Sequence, residues 1–190
     1  MIYGSYKNVR NAVWKVFIDF NITELPVSVN QLAKQLGINI IKNSDIHKLQ
    51  NDERGMTVYI NGHWYIIFDD TEPVPTCRFT VAHELGHILL GHMMTKTPQY
   101  RTFTVKNDTE QSADMFAVRL LAPACVLHEL NALNANEIAD LCNISISSAK
   151  YRAERMAILE KRNAWYFHPL ERKVYKQFES FINSKKNPPM

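Results

Sequence analysis

Ala82-His83-Glu84-Leu85-Gly86-His87-Ile88-Leu89-Leu90-Gly91 is the stretch on which the fold turns. Pro73 and Pro75 break the chain ahead of it and can open a helix, and Gly91 can close one. Within that helix, Ala82, Leu85, Ile88, Leu89 and Leu90 ask for burial on more than one side. His83 and His87 are four residues apart, so they lie one turn apart on one face and can aim two imidazoles at one ion. Glu84 sits one position further round. It can stand beside an ion without occupying it, where a general base for an attacking water belongs. Gly86 lets another element approach closely. Alone, the pattern also fits two histidines and a glutamate decorating a helix, and a third ligand has to decide.

Two sources of that ligand are available. A third histidine six residues past His87 is ruled out, because that position is Met93. His92 lies just beyond Gly91, and on a continued helix it would point away from the ion, so a loop histidine near the site is its expected role. The other source is a second helix. Asp108 and Gln111 form a capping box that opens a helix from Thr109 to Leu121. Glu110 and Asp114 share one face of it, again four apart. Glu110 can bind the metal, and Asp114 can accept a hydrogen bond from the outer nitrogen of a ligating histidine. An acidic first turn that complements the helix dipole would also explain Glu110. It explains Asp114 less well, since Ala113, Met115 and Phe116 surround it and a buried aspartate needs a partner.

Upstream lies the material for a small sheet. Val9, Val13, Val16, Phe17 and Phe20 recur at helical spacing, and Ser28 with Gln31 caps a second helix that Gly37 stops. Ile38 to Lys42, Met56 to Ile60 and Trp64 to Phe68 are apolar, β-rich runs, the last two joined near Asn61-Gly62 as a hairpin. That hairpin directly precedes the metal helix. It can pack beneath it, offer an edge to an extended substrate, or do both. Downstream the chain is helical. A short helix follows Pro123 to Leu130. Asn134 and Glu137 cap another to about Cys142, a long one begins near Ser147, and a last one covers Leu170 to Ile182 before a frayed tail. The expected class is α+β, with a small sheet and an active-site helix pair in residues 1–130 and a helical extension in 131–190. The helices on either side of Asn143-Ile144-Ser145 resemble a helix-turn-helix, with Lys150, Arg152 and Arg155 as candidate phosphate or base contacts.

Composition narrows the setting. The chain has 190 residues and a net charge of +3, enough for one good core with an appendage. No apolar run is long enough to span a bilayer. Met1-Ile2-Tyr3-Gly4-Ser5 carries no basic segment followed by an apolar one, so a cytoplasmic location is expected. Cys77, Cys125 and Cys142 are odd in number and form no CxxC pair, which points to free, mostly buried thiols. Residues 150–190 hold ten Lys/Arg against four Asp/Glu. Such a tail can attract nucleic acid, but Tyr151, Met156, Leu159, Trp165, Tyr175 and Phe178 are interleaved and call for burial, which favours a solvated helix face over direct nucleic-acid binding.

The run Arg78-Phe79-Thr80-Val81-Ala82-His83-Glu84-Leu85-Gly86-His87-Ile88-Leu89-Leu90-Gly91-His92 resembles the signature of the ImmA/IrrE family of metallopeptidases. Glu110-Gln111-Ser112-Ala113-Asp114-Met115-Phe116-Ala117, followed by Leu120-Leu121-Ala122-Pro123, is similar to that family's second helix. The resemblance covers about residues 30–125, with a weaker echo around Ile138 to Ser145 and Arg152. It implies a zincin-like fold, Zn²⁺ held by His83, His87 and Glu110, and Glu84 as the base. It also implies Asp114 supporting a zinc-bound histidine, where the family often carries Asn. Members commonly sit on phages or mobile elements as anti-repressors, so a protein substrate is expected: a repressor with a helix-turn-helix domain. Candidate donors for the developing oxyanion are His63, His92, Tyr100 and Arg101, and the loop from Met93 to Asp108 is long enough to act as a lid.

Overall fold

The computed structural model describes residues 9–92, 99–100 and 108–187. Thirteen elements are assigned among them, and the chain divides into two compact units. One comprises residues 1–12 and 28–117; the other comprises residues 13–27 and 118–190.

The first unit is built on the expected strands. β1 (Ile38–Lys42), β2 (Gly55–Ile60) and β3 (His63–Phe68) join β4 (Gln99–Tyr100) in a four-stranded sheet of order β1-β3-β2-β4. β1 runs parallel to β3, β2 pairs antiparallel with β3 as the hairpin, and β4 pairs antiparallel with Met56 and Thr57. Asn61 and Gly62 both have positive φ, as a tight turn of this hairpin type requires. β4 and a one-turn helix, α3 (Asn43–Ile46), had no sequence signal: the first is two residues long and the second four. α2 (Val29–Gln35) starts as expected at Ser28, whose side chain accepts from the Gln31 amide.

α4 (Val74–Leu90) packs on β2 and β3. Residues 80 to 90 are buried without interruption, which is why no single apolar stripe marks this helix. Gly91, at φ 79°, closes it. α5 (Asp108–Leu121) follows. A Cβ added to Gly86 would lie 3.2 Å from the Phe116 side chain and 3.3 Å from the Ala113 Cα, so α5 is the element that Gly86 admits.

The second unit is helical. Part of α1 (Val9–Asp19) belongs to it, with α6 (Ala124–Glu129), α7 (Ala135–Cys142), α8 (Ile146–Arg162) and α9 (Pro169–Lys186). Phe17 meets Phe178 edge-on, and Gln177 Nε2 donates to the carbonyls of Phe17 and Ile22. Asn134 caps α7 through the Glu137 amide, as its spacing predicts, and α8, capped by Ser145, begins at Ile146, one residue before the expected start at Ser147. α9 runs four residues past Ile182, into the stretch expected to fray. Met156 and Phe178 are fully buried, but Tyr151 is 74% exposed, contrary to its expected burial. Its neighbour Arg152 takes the inward position instead and is 5% exposed. Cys77, Cys125 and Cys142 are thiols outside any disulfide, the last two buried. No described helix is long and apolar enough to cross a membrane.

Candidate metal centre

α4 carries three ionisable side chains into its buried stretch: His83, Glu84 and His87 are 1%, 2% and 3% exposed. Burial of such groups is costly unless each finds a partner. The partners come from α5, from the end of α4 and from β2.

His83 Nε2 and His87 Nε2 lie 3.0 Å apart. Glu110 of α5 reaches both, with Oε2 3.3 Å from His83 Nε2 and Oε1 3.2 Å from His87 Nε2. Ligand atoms of these three residues all fall within 4.8 Å of one another. Four ligands at about 2.0–2.1 Å in a tetrahedron stand about 3.3–3.4 Å from one another. The observed separations are of that order, the two from Glu110 being made by different carboxylate oxygens. The donor set of two imidazoles and one carboxylate therefore fits a tetrahedral divalent ion and leaves one coordination position open.

The outer nitrogens settle which atoms face inward. His83 Nδ1 donates to Asp114 Oδ1 at 2.8 Å. A proton on Nδ1 leaves a bare lone pair on Nε2, directed at His87 and Glu110. Asp114 thus meets His83 at its outer nitrogen. Burial pushes the Glu110 carboxyl up, but hydrogen bonds and charge interaction with His83 and His87 outweigh it and hold the group well below its usual range.

His92 takes the place expected of it, a loop histidine beside the site. The left-handed Gly91 turns the chain back, so His92 does not continue the helix outward. Its Nδ1 comes 3.2 Å from His87 Nδ1. Burial, with His87 beside it, pulls the His92 imidazole down to about 4. Each candidate metal histidine therefore has a partner at its outer nitrogen: a carboxylate for His83 and an imidazole for His87. The only sequence signal for this was the glycine before His92.

Glu84 points elsewhere. Its Oε2 accepts a hydrogen bond from Thr57 Oγ1 of β2 at 2.7 Å. A Cβ built on Gly55, two residues earlier on the same strand, would lie 3.4 Å from Glu84 Oε1 and 2.4 Å from Thr80 Cγ2. The carboxylate is seated against the sheet beside the three-residue cluster. Of the other candidates, His63 begins β3 and lines a cavity of about 520 Å³ with Asn30, Lys34, Asn39 and Lys42 along β1. Arg101, and the loop expected as a lid apart from Gln99 and Tyr100, lie outside the described residues.

A helix that buries His-Glu-x-x-His against a small sheet, met by a carboxylate from the next helix, defines the metallopeptidase class. The chain belongs to the IrrE N-terminal-like domain family of peptidases, whose signature matches residues 33–154 and so takes in every element of the site. It is a metallopeptidase of that family with a protein substrate. No curated protein matches the sequence significantly.

Proposed function

We propose that the protein is a zinc-dependent endopeptidase in which His83, His87 and Glu110 hold the ion and Glu84 is the general base. The convergence of the two Nε2 atoms and one carboxylate, with the outer nitrogen of His83 held by Asp114, supports this reading. Bound there, zinc would act as a Lewis acid, polarising the scissile carbonyl and lowering the pKa of water. Glu84 accepts the proton of the attacking water and passes it to the departing amine. Asp114 fixes the His83 tautomer, and His92 bears on His87 in the same way. Three oxygen or nitrogen ligands without a thiolate suit zinc in a hydrolytic site better than a soft-metal role.

The substrate enters as an extended strand along β2. Among the described residues its outer edge is paired with β4 at Met56 and Thr57, next to Glu84, and Tyr59 and Ile60 beyond them are 59% and 52% exposed. In this reading residues 1–130 carry the peptidase and residues 131–190 a helical extension with a helix-turn-helix-like hairpin. The substrate is a transcriptional repressor with a helix-turn-helix domain, cleaved in the cytoplasm by an anti-repressor of phage or mobile-element type. Direct DNA binding forms no part of it. Arg152 is buried, where desolvation pulls its guanidinium down to about 10, and Glu154 lies among the exposed Lys150, Tyr151 and Arg155.

The test combines metal analysis with cleavage of the repressor encoded nearest the gene. Purified protein should carry one zinc and cut that repressor. Glu84→Gln should keep the zinc and lose at least about a hundredfold in rate, the usual contribution of a general base. Undiminished cleavage by Glu84→Gln would sink the mechanism.

A further inference from the structure

β2 places an unusual residue at the centre of the fold. Thr57 is fully buried, opposite Ile66 in the sheet and beneath α4. Valine has the same shape and no hydroxyl to satisfy, so it is the ordinary occupant of such a position. The threonine hydroxyl has one hydrogen bond among the described residues, the 2.7 Å bond it donates to Glu84 Oε2. Thr57 and Gly55 share a face of β2, since side chains alternate along a strand. At Gly55 any side chain would collide with Thr80 Cγ2, and its Cβ would already touch Glu84 Oε1 at 3.4 Å. One residue thus anchors one carboxylate oxygen, and the other leaves room for its mate.

We infer that Thr57 is a positioning residue for Glu84, fixing the direction of the base through one anchored oxygen while Gly55 clears the space for the other. The inference rests on Glu84 acting as the base proposed above. A glutamate side chain turns about three bonds, and a base is effective only when its free oxygen is held within hydrogen-bond reach of the proton it takes. His83 and His87 are fixed by partners at their outer nitrogens. Glu84 has no partner on its own helix that would do the same, and the anchor arrives from a strand 27 residues upstream. The bond joins a neutral donor to a charged acceptor, a class worth about 1.5–3 kcal/mol, or roughly tenfold to hundredfold in rate if lost only in the reacting geometry.

The experiment uses the zinc-loaded full chain, with fluorescein-labelled casein as the substrate, and compares Thr57→Val, Thr57→Ser and Glu84→Gln. Isotope-edited infrared spectra of protein with ¹³C-carboxylate glutamate give a second readout, the Glu84 band being the one lost in Glu84→Gln. Thr57→Val should lower kcat about tenfold to hundredfold with KM and zinc content unchanged, and should shift the Glu84 band. Thr57→Ser, which keeps the hydroxyl, should restore both. An unshifted band in Thr57→Val overturns the inference whatever the rate does. So does a shifted band with unchanged kcat, or a Thr57→Ser variant as impaired as Thr57→Val, which would assign the loss to packing. Full activity in Glu84→Gln is a different failure, that of the general-base reading itself.

Discussion

Asp114 offers the sharpest quantitative check on the metal centre, because the structure separates its two contributions. Asp114 Oδ1 accepts from His83 Nδ1 at 2.8 Å, and its side chain is 40% exposed. Removing an outer-shell partner of a metal-bound histidine typically costs about 10–100-fold in metal affinity. Exposure favours the low end, since water can take over the freed Nδ1–H, so Asp114→Ala should weaken zinc binding about tenfold, or about 1.4 kcal/mol. Asp114→Asn keeps an acceptor oxygen in the same position and loses only the charge. Charge-assisted hydrogen bonds are about twice as strong as neutral ones, so the asparagine variant should fall about threefold, midway on a logarithmic scale. The assay is competition for zinc against a chromophoric chelator at pH 7, titrating metal-free wild type and both variants. ¹⁵N spectra of the histidines should show His83 still protonated at Nδ1 in the asparagine variant. Wild-type affinity in Asp114→Ala would refute the supporting role. A loss of about a thousandfold or more, beyond anything an outer partner supplies, would make Asp114 itself a ligand.

Other perturbations separate the remaining parts. Glu110→Ala removes the carboxylate shared by His83 and His87, and zinc affinity should fall further than in Asp114→Ala by the same competition assay. Unchanged zinc content would move the third ligand to Asp114 or His92. Gly86→Ala should lower the melting temperature and cost about 1–3 kcal/mol in urea unfolding, because the new methyl meets Phe116 at 3.2 Å and the Ala113 backbone at 3.3 Å. In an open helix the same change would gain up to about 1 kcal/mol, so the sign alone tests the close approach. Duplex DNA should bind the full chain only weakly and without sequence preference. Tight binding with a steep salt dependence that Lys150→Ala and Arg155→Ala abolish would restore the DNA-binding alternative.

What could be read in the sequence follows from the range over which each pattern acts. Helical signals are local. The four-residue spacing of His83 with His87, and of Glu110 with Asp114, puts each pair on one face whatever else the chain does, and Ser28 and Asn134 cap helices through amides three residues away. The hairpin was legible for the same reason, through Asn61-Gly62. The misreadings fall where a neighbour overrides a local rule. Tyr151 was expected inside because aromatic residues prefer burial, yet the inward position beside it is taken by Arg152. His92, by contrast, was expected as a loop histidine near the site, and the left-handed Gly91 places it there, against His87.

The seat of the proposed general base was illegible for a deeper reason. His83, His87, Glu110 and Asp114 announce themselves because metal chemistry restricts residue type, and an aspartate among apolar neighbours is conspicuous. Thr57 in a β-rich run is not conspicuous, because threonine is an ordinary strand residue with good β propensity. Its hydroxyl matters only once β2 lies under α4 in one register. A slip of one residue would turn Met56 or Val58 toward Glu84 and leave a buried carboxylate without its donor. The pairing of Gly55 with Phe68 and of Thr57 with Ile66 is therefore part of the chemistry as much as of the fold. In the proposed site two helices would set the metal ligands and a glycine between them their spacing, while the direction of the base would be decided by which face of a strand the hairpin presents.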